Sequence, residues 1–262
     1  MSNVPQVLIE VHGQIAVLRL SDPARLNAMS LAMGVAFGEA VETLRGMSDL
    51  RAVVLTGDGN SFSSGGDLNM LRDLGRMPSA EVVPFMLGYY DQFLRLHALP
   101  MPVIAAVRGV AVGAGCALAI SCDMVVVDEN ARMAFNFLKI ALHPGMASTL
   151  FVPRRVGPER AARLFYGAET FSGREAASWG LAGEAVPAEQ VEARAMALAE
   201  QLAARGPLAA QALKQTLRPS ASAMKAALLR EAEAQRASYA TADFARGVEA
   251  VATKTVGVFV GQ

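Results

Sequence analysis

Cysteine is nearly absent: Cys116 and Cys122 are the only two in 262 residues. That is too few for a disulfide framework, and the pair falls on different faces of one expected helix. An excess of one charge is missing too. The 24 Lys and Arg balance 24 Asp and Glu, which removes the basic surplus that marks nucleic-acid binding. Long hydrophobic runs are also lacking. The most apolar region, 101–127, is broken by Arg108 and Asp123, and its uninterrupted part falls short of the roughly 20 residues a membrane span needs. The opening "MSNVPQVLIEVHGQ" turns polar too early for a secretory leader. The expectation is a cytoplasmic globular protein without nucleic-acid or membrane partners. Its 53% hydrophobic residues are enough for a large core.

What is present is an alternation of strands and helices. "QVLIEV" and "QIAVLRL" flank His12-Gly13 as a hairpin. Ser30 is placed to cap a helix through "LAMGVAFGEAVETLRG", where Met33, Phe37, Ala40, Val41 and Leu44 recur at helical spacing. The strands "RAVVLTG", "PVIAAV" and "MVVVD" follow, with a helix through "VVPFMLGYYDQFLRLHAL" that ends before Pro100. Beyond about Pro187 the chain turns Ala-, Glu-, Gln- and Arg-rich, and strand signal returns only at "VGVFV". This reads as an α/β core over 1–186 followed by a helical region over 187–262.

"GVAVGAGCALAI", at 109–120, runs glycines straight into a helix-forming segment. Glycine lets a backbone approach something closely, and a helix starting there aims its unpaired N–H groups at the same spot. A phosphate loop needs Lys and Ser or Thr after its last glycine, but Cys116 and Ala117 follow Gly115. The dinucleotide pattern needs a third glycine where Leu118 stands. An oxyanion, or mere close packing of helix on strand, stays open at this stage. "SFSSGGDLNML", at 61–71, repeats the device after "RAVVLTG", with Asp67 at the helix start. Two such turns could bring two backbone N–H groups to one point.

With "PARLNAM", "FSSGGDL", "PVIAAVRGVAVGAGCALAISCD" and "WGLAGEAVP" in this order, the chain resembles the crotonase superfamily, the enoyl-CoA hydratase and isomerase family. The resemblance implies a spiral core of β-β-α units with a helical C-terminal region, and a homotrimer or dimer of trimers. It implies an acyl-CoA thioester substrate, coenzyme A entering only as part of that substrate, and no metal or redox cofactor. By that resemblance the Gly66 and Ala114 N–H groups hold the thioester oxygen. Arg25 meets the CoA phosphates, Ser64 offers a carbonyl to the adenine, and Lys254 and Phe259 close over CoA. Hydratases of the family carry two glutamates, and the matching positions here hold Ala117 and Phe137. A methyl group and a phenyl ring transfer no protons. "FNFLKIALHPG" is most similar to isomerases of ring-derived acyl-CoAs, in which an aspartate follows the proline. Here Gly145 stands instead.

Substitutes for the missing carboxylates are His143, since an imidazole can exchange a proton near neutral pH, and Asn136, which could orient a water or a carbonyl. Asp67 reads as a helix cap that adjoins the substrate. Phe85, Phe135, Phe137 and Trp179 are either acyl-pocket walls or core. The expected activity is an isomerisation or another proton shift on an unsaturated acyl-CoA. Hydration, thioester hydrolysis, decarboxylation and non-catalytic acyl-CoA binding are the alternatives.

Overall fold

The computed structural model describes residues 5–262. Strands β1 (Gln6–His12) and β2 (Ile15–Ser21) form the expected antiparallel hairpin. Ser30 caps α1 (Leu31–Arg45), accepting from Met33 N–H at 3.2 Å. Three further strand pairs follow: β3 (Ala52–Gly57) with β4 (Ser61–Ser63), β5 (Val103–Val107) with β6 (Val110–Val112), and β7 (Met124–Asp128) with β8 (Arg132–Ala134). Helices α2 (Leu68–Leu74) and α3 (Ser79–Leu94) lie between the first two pairs, and α4 (Ala114–Ser121) lies between the second and third. The first strand of each pair joins a six-stranded sheet ordered β1-β2-β3-β5-β7-β9, where β9 is Glu184–Val186. The second strand joins a three-stranded parallel sheet ordered β4-β6-β8. Each turn of the chain thus adds one strand to each sheet and then a helix, which is the spiral of β-β-α units.

The central strands β3 and β5 are buried throughout, as parallel strands covered on both faces must be. Alternate residues divide between two cores. Val53, Leu55, Val103, Ala105 and Val107 face the main core, which also holds α1 and α3. Val54, Ile104, Ala106 and Val126 face a smaller core capped by Val191, Ala195 and Ala199 of α7 (Val191–Ala203). After β8 come α5 (Ser148–Gly167), bent where Gly157 takes φ 75°, and α6 (Gly173–Ser178). The C-terminal region is helical as expected, continuing from α7 through α8 (Pro207–Leu217), α9 (Ala221–Tyr239) and α10 (Ala242–Thr253).

One expectation fails. "VGVFV" forms no strand: the one N–H of the run with a partner among the described residues, that of Val260, goes to a side chain rather than to a neighbouring strand. The Asp243 carboxylate accepts from Val260 N–H at 3.0 Å and Gly261 N–H at 2.6 Å, folding the tail back on the start of α10. No helix among the described residues is long and apolar enough to cross a membrane.

Candidate active site

The segment 22–30 shapes the first glycine turn. Buried Asn27, at φ 54°, donates through Nδ2 to Ser61 O at 2.8 Å and Asp58 O at 2.9 Å, and Met29 N–H donates to Gly65 O at 2.7 Å. Ser63 Oγ accepts from Gly65 N–H at 3.1 Å and donates to Asn27 O at 2.8 Å. This turn lies directly against the second one. A Cβ on Gly65 would stand 2.5 Å from Val112 O, and one on Gly115 would stand 2.7 Å from Ser63 O. Real Cβ atoms do not come so close, so glycine at 65 and 115 is what lets the two backbones touch.

Both turns open on one cavity of about 250 Å³, and Ser64, Gly66, Gly113, Ala114, Asn136 and Phe137 form part of its wall. Ala114 begins α4, so its N–H has no intrahelical acceptor and carries the positive end of the helix dipole. Neither Gly66 N–H nor Ala114 N–H has an acceptor among the described residues. Asn136 Oδ1 lies beside this corner, 3.1 Å from where a Cβ on Gly113 would sit.

Apart from the Gln235 amide, the rest of the wall is apolar or phenolic, including Met70, Met86, Met146, Tyr89, Tyr90 and Tyr239. Among the described residues no Asp, Glu, His, Lys, Arg or Cys lines it. Burial pushes all three tyrosine hydroxyls well above the ordinary phenol range, so they stay protonated. Behind the wall, Glu231 of α9 is fully buried and accepts from Ala147 N–H at 2.7 Å, Thr149 N–H at 2.9 Å and Thr149 Oγ1 at 2.6 Å. Burial raises its pKa to about 7 against the pull of those donors.

Five of the site residues expected from sequence therefore meet at the cavity: Ser64, Gly66, Ala114, Asn136 and Phe137. The others lie elsewhere. Ala117 is buried inside α4 and forms no part of the wall. Asp67 caps α2, accepting from Asn69 and Met70 N–H at 3.0 Å. His143 is off the wall: its Nδ1 pairs with Pro144 O at 2.7 Å, and its N–H donates to Ser238 Oγ at 3.2 Å. Arg25 is exposed, with Nε on the Asp22 carboxylate at 2.7 Å, although its carbonyl accepts from Ser64 Oγ at 3.2 Å at the cavity edge. Lys254 ends α10 in a left-handed conformation, and Phe259 lies in the tail, 40% exposed. Of the four aromatic candidates only Phe137 reaches the cavity. Phe135 and Trp179 each pack on Phe171 in the core, and Phe85 packs against the core's edge. Sequence reasoning missed Tyr90, Gln235 and Tyr239, and no local spacing could have joined residues some 145 positions apart.

Known proteins resemble the chain in sequence and in fold. A putative enoyl-CoA hydratase of Thermus thermophilus is 36% identical over 187 residues, covering 71% of this chain and 74% of its own. The 1,2-epoxyphenylacetyl-CoA isomerase of Escherichia coli is 32% identical over 194 residues, 74% of each chain. The crystal structure of an enoyl-CoA hydratase/isomerase from Pseudoalteromonas atlantica superposes with a TM-score of 0.85 at 26% identity, over 97% of this chain and all of that one. The profile of the family described as enoyl-CoA hydratase/isomerase matches residues 10–261. A spiral of β-β-α units, two glycine turns facing one cavity and a match over nearly the whole length lead to one conclusion: the chain belongs to the enoyl-CoA hydratase/isomerase family.

Proposed function

We propose that the protein binds a coenzyme A thioester with its carbonyl oxygen between the Gly66 and Ala114 N–H groups, and isomerises an unsaturated acyl group by a proton shift through the enolate. The observation that carries this reading is the pair of uncommitted backbone donors on one cavity wall. As a proton leaves the acyl chain, negative charge collects on the thioester oxygen. Donors already fixed there stabilise it without reorganisation, each worth roughly 10²- to 10³-fold in rate. Asn136, on the wall beside Ala114, holds a water that accepts the proton from one carbon of the acyl chain and returns one of its own to another, so that the shift leaves the water unchanged. Arg25 and Ser64 at the cavity edge serve the CoA arm, and Lys254 and Phe259 close over it. Hydration is disfavoured because, among the described residues, no carboxylate pair lines the wall to add water.

The same absence of ionisable groups on the wall favours a second reading, decarboxylation of an acyl-CoA, since an enolate made by losing carbon dioxide needs the donors but no base. The quaternary expectation is a homotrimer or dimer of trimers. It is supported by Leu213 and Leu217, one turn apart on α8 and 57% and 66% exposed, which a subunit contact would cover.

Two measurements test the reading. Acyl-CoAs should raise the melting temperature while NAD and ATP do not. Incubation with enoyl-CoAs in heavy water should give a deuterated isomer by mass spectrometry. A melting shift with NAD but with no acyl-CoA would overturn the proposal. Hydration of crotonyl-CoA at a kcat/KM of about 10⁴ M⁻¹s⁻¹ or more would replace isomerisation with hydration.

A further inference from the structure

A peptide unit is planar and trans, so its C=O and N–H point in opposite directions, and a hydrogen bond that fixes one end aims the other. In the second glycine turn the helix does this itself. Ala117 N–H donates to Gly113 O at 3.0 Å as the first bond of α4, and the Ala114 N–H of the same peptide unit is thereby aimed out of the N-terminal end. The first turn has no such help, because α2 begins only at Leu68. Two successive units are fixed there by groups outside the turn's own backbone. The unit between Gly65 and Gly66 is held by its oxygen, which accepts from Met29 N–H at 2.7 Å, so the Gly66 N–H points the other way. The unit between Ser64 and Gly65 is held by its N–H, which donates to Ser63 Oγ at 3.1 Å. The same hydroxyl donates to Asn27 O at 2.8 Å, two residues before Met29. Ser63 is completely buried and ties the turn to the segment that steers it. That segment needs holding: Leu26 and Asn27 both take left-handed conformations, at φ 52° and 54°, which a Cβ disfavours. Without the hydroxyl, Gly65 N–H and Asn27 O would both be left buried and unpaired. Gly65, at φ 84° and free of a Cβ, is where the turn would give.

From this arrangement we infer that Ser63 is a positioning residue, whose hydroxyl locks segment 27–29 to the turn and so aims the Gly66 N–H at the thioester oxygen. The inference rests on the proposed binding of a CoA thioester between Gly66 and Ala114. Ser63 forms no part of the cavity wall, so its effect on a bound carbonyl passes through the backbone.

Infrared difference spectra of a bound [1-¹³C]acyl-CoA test this, with ligand at saturation so that a change in affinity does not enter. In Ser63→Ala the shift of the carbonyl band to lower frequency should shrink to about half, because one of the two donors loses its alignment. Ser63→Cys, whose thiol bonds more weakly, should fall between that and the natural protein. On a substrate that the protein converts, kcat should drop about tenfold in Ser63→Ala with KM within about threefold, since full charge builds on the oxygen only in the transition state. Thr56→Ala is the control. It loses a buried hydroxyl bond, from Thr56 Oγ1 to Ala106 O at 3.1 Å, without touching the two hydrogen bonds of Ser63, and should leave band and kcat unchanged even where its melting temperature falls. A carbonyl band in Ser63→Ala equal to that of the natural protein overturns the inference, and so does an equal loss in Thr56→Ala; the proposed thioester binding stands in both cases. No band shift in the natural protein removes that binding, and this inference with it.

Discussion

The cavity has two kinds of wall. One is backbone: the turns at 63–66 and 112–115 press together, and their glycines leave no room for a side chain between them. The other is side chain: Tyr90 from α3, and Gln235 and Tyr239 from α9, are joined by hydrogen bonds across long stretches of sequence. In the proposed reaction the first wall does chemistry shared by any acyl thioester, because it touches only the carbonyl. The second meets the acyl group and so selects it. Substitutions in the two walls should therefore separate rate from specificity.

The largest effect expected is on the backbone wall. Gly66→Pro removes the donor and should lower kcat by about 10²- to 10³-fold, read by steady-state kinetics on a substrate that the protein converts. The next lies behind the side-chain wall, where Glu231 anchors residues 147 and 149. With its pKa raised to about 7, the folded protein keeps a proton that the unfolded chain releases near 4.5. Stability therefore falls as pH rises from about 4.5 to 7, by on the order of 3 kcal/mol from this group. Urea unfolding at pH 5 and pH 8 should show that loss in the natural protein and a smaller one in Glu231→Gln. A wild-type slope matching that of Glu231→Gln would place the buried charge elsewhere.

Gly115→Ala comes third. It forces a methyl to within 2.7 Å of Ser63 O and should cost about 1–3 kcal/mol in urea unfolding. Gly66→Ala is the smallest. Its Cβ would meet nothing nearer than the Leu71 side chain at 3.8 Å, and the N–H survives, so kcat should stay within about twofold. If Gly66→Ala and Gly66→Pro lost activity equally, shape rather than the N–H donor would matter at this turn.

The backbone wall was legible in the sequence and the side-chain wall was not. Gly65 and Gly115 stand where only glycine fits, so the motif itself carries the geometry. The small sheet was hidden because β4, β6 and β8 are three residues each, too short for period-two alternation to register. Ala117 shows a limit of facing arguments. Three residues after Ala114, it should share that residue's helix face, yet every residue of α4 is buried, so periodicity says nothing about which face meets the cavity. His143 read as an acid–base candidate by residue type alone, and its partners Pro144 and Ser238 could not be known before α9 was placed. Tyr90 and Gln235 meet only through the packing of α3 on α9, which no local pattern encodes.

The central claim is that two backbone amides hold a thioester carbonyl, and the carbonyl stretch reports this directly. Infrared difference spectra of a [1-¹³C]acyl-CoA bound to the protein should show the band shifted to lower frequency than in solution, because hydrogen bonds polarise the C=O. The shift should shrink in Gly66→Pro and persist in Gly66→Ala. A bound ligand whose carbonyl band stays at its solution frequency, or whose shift is the same in Gly66→Pro, would contradict the account.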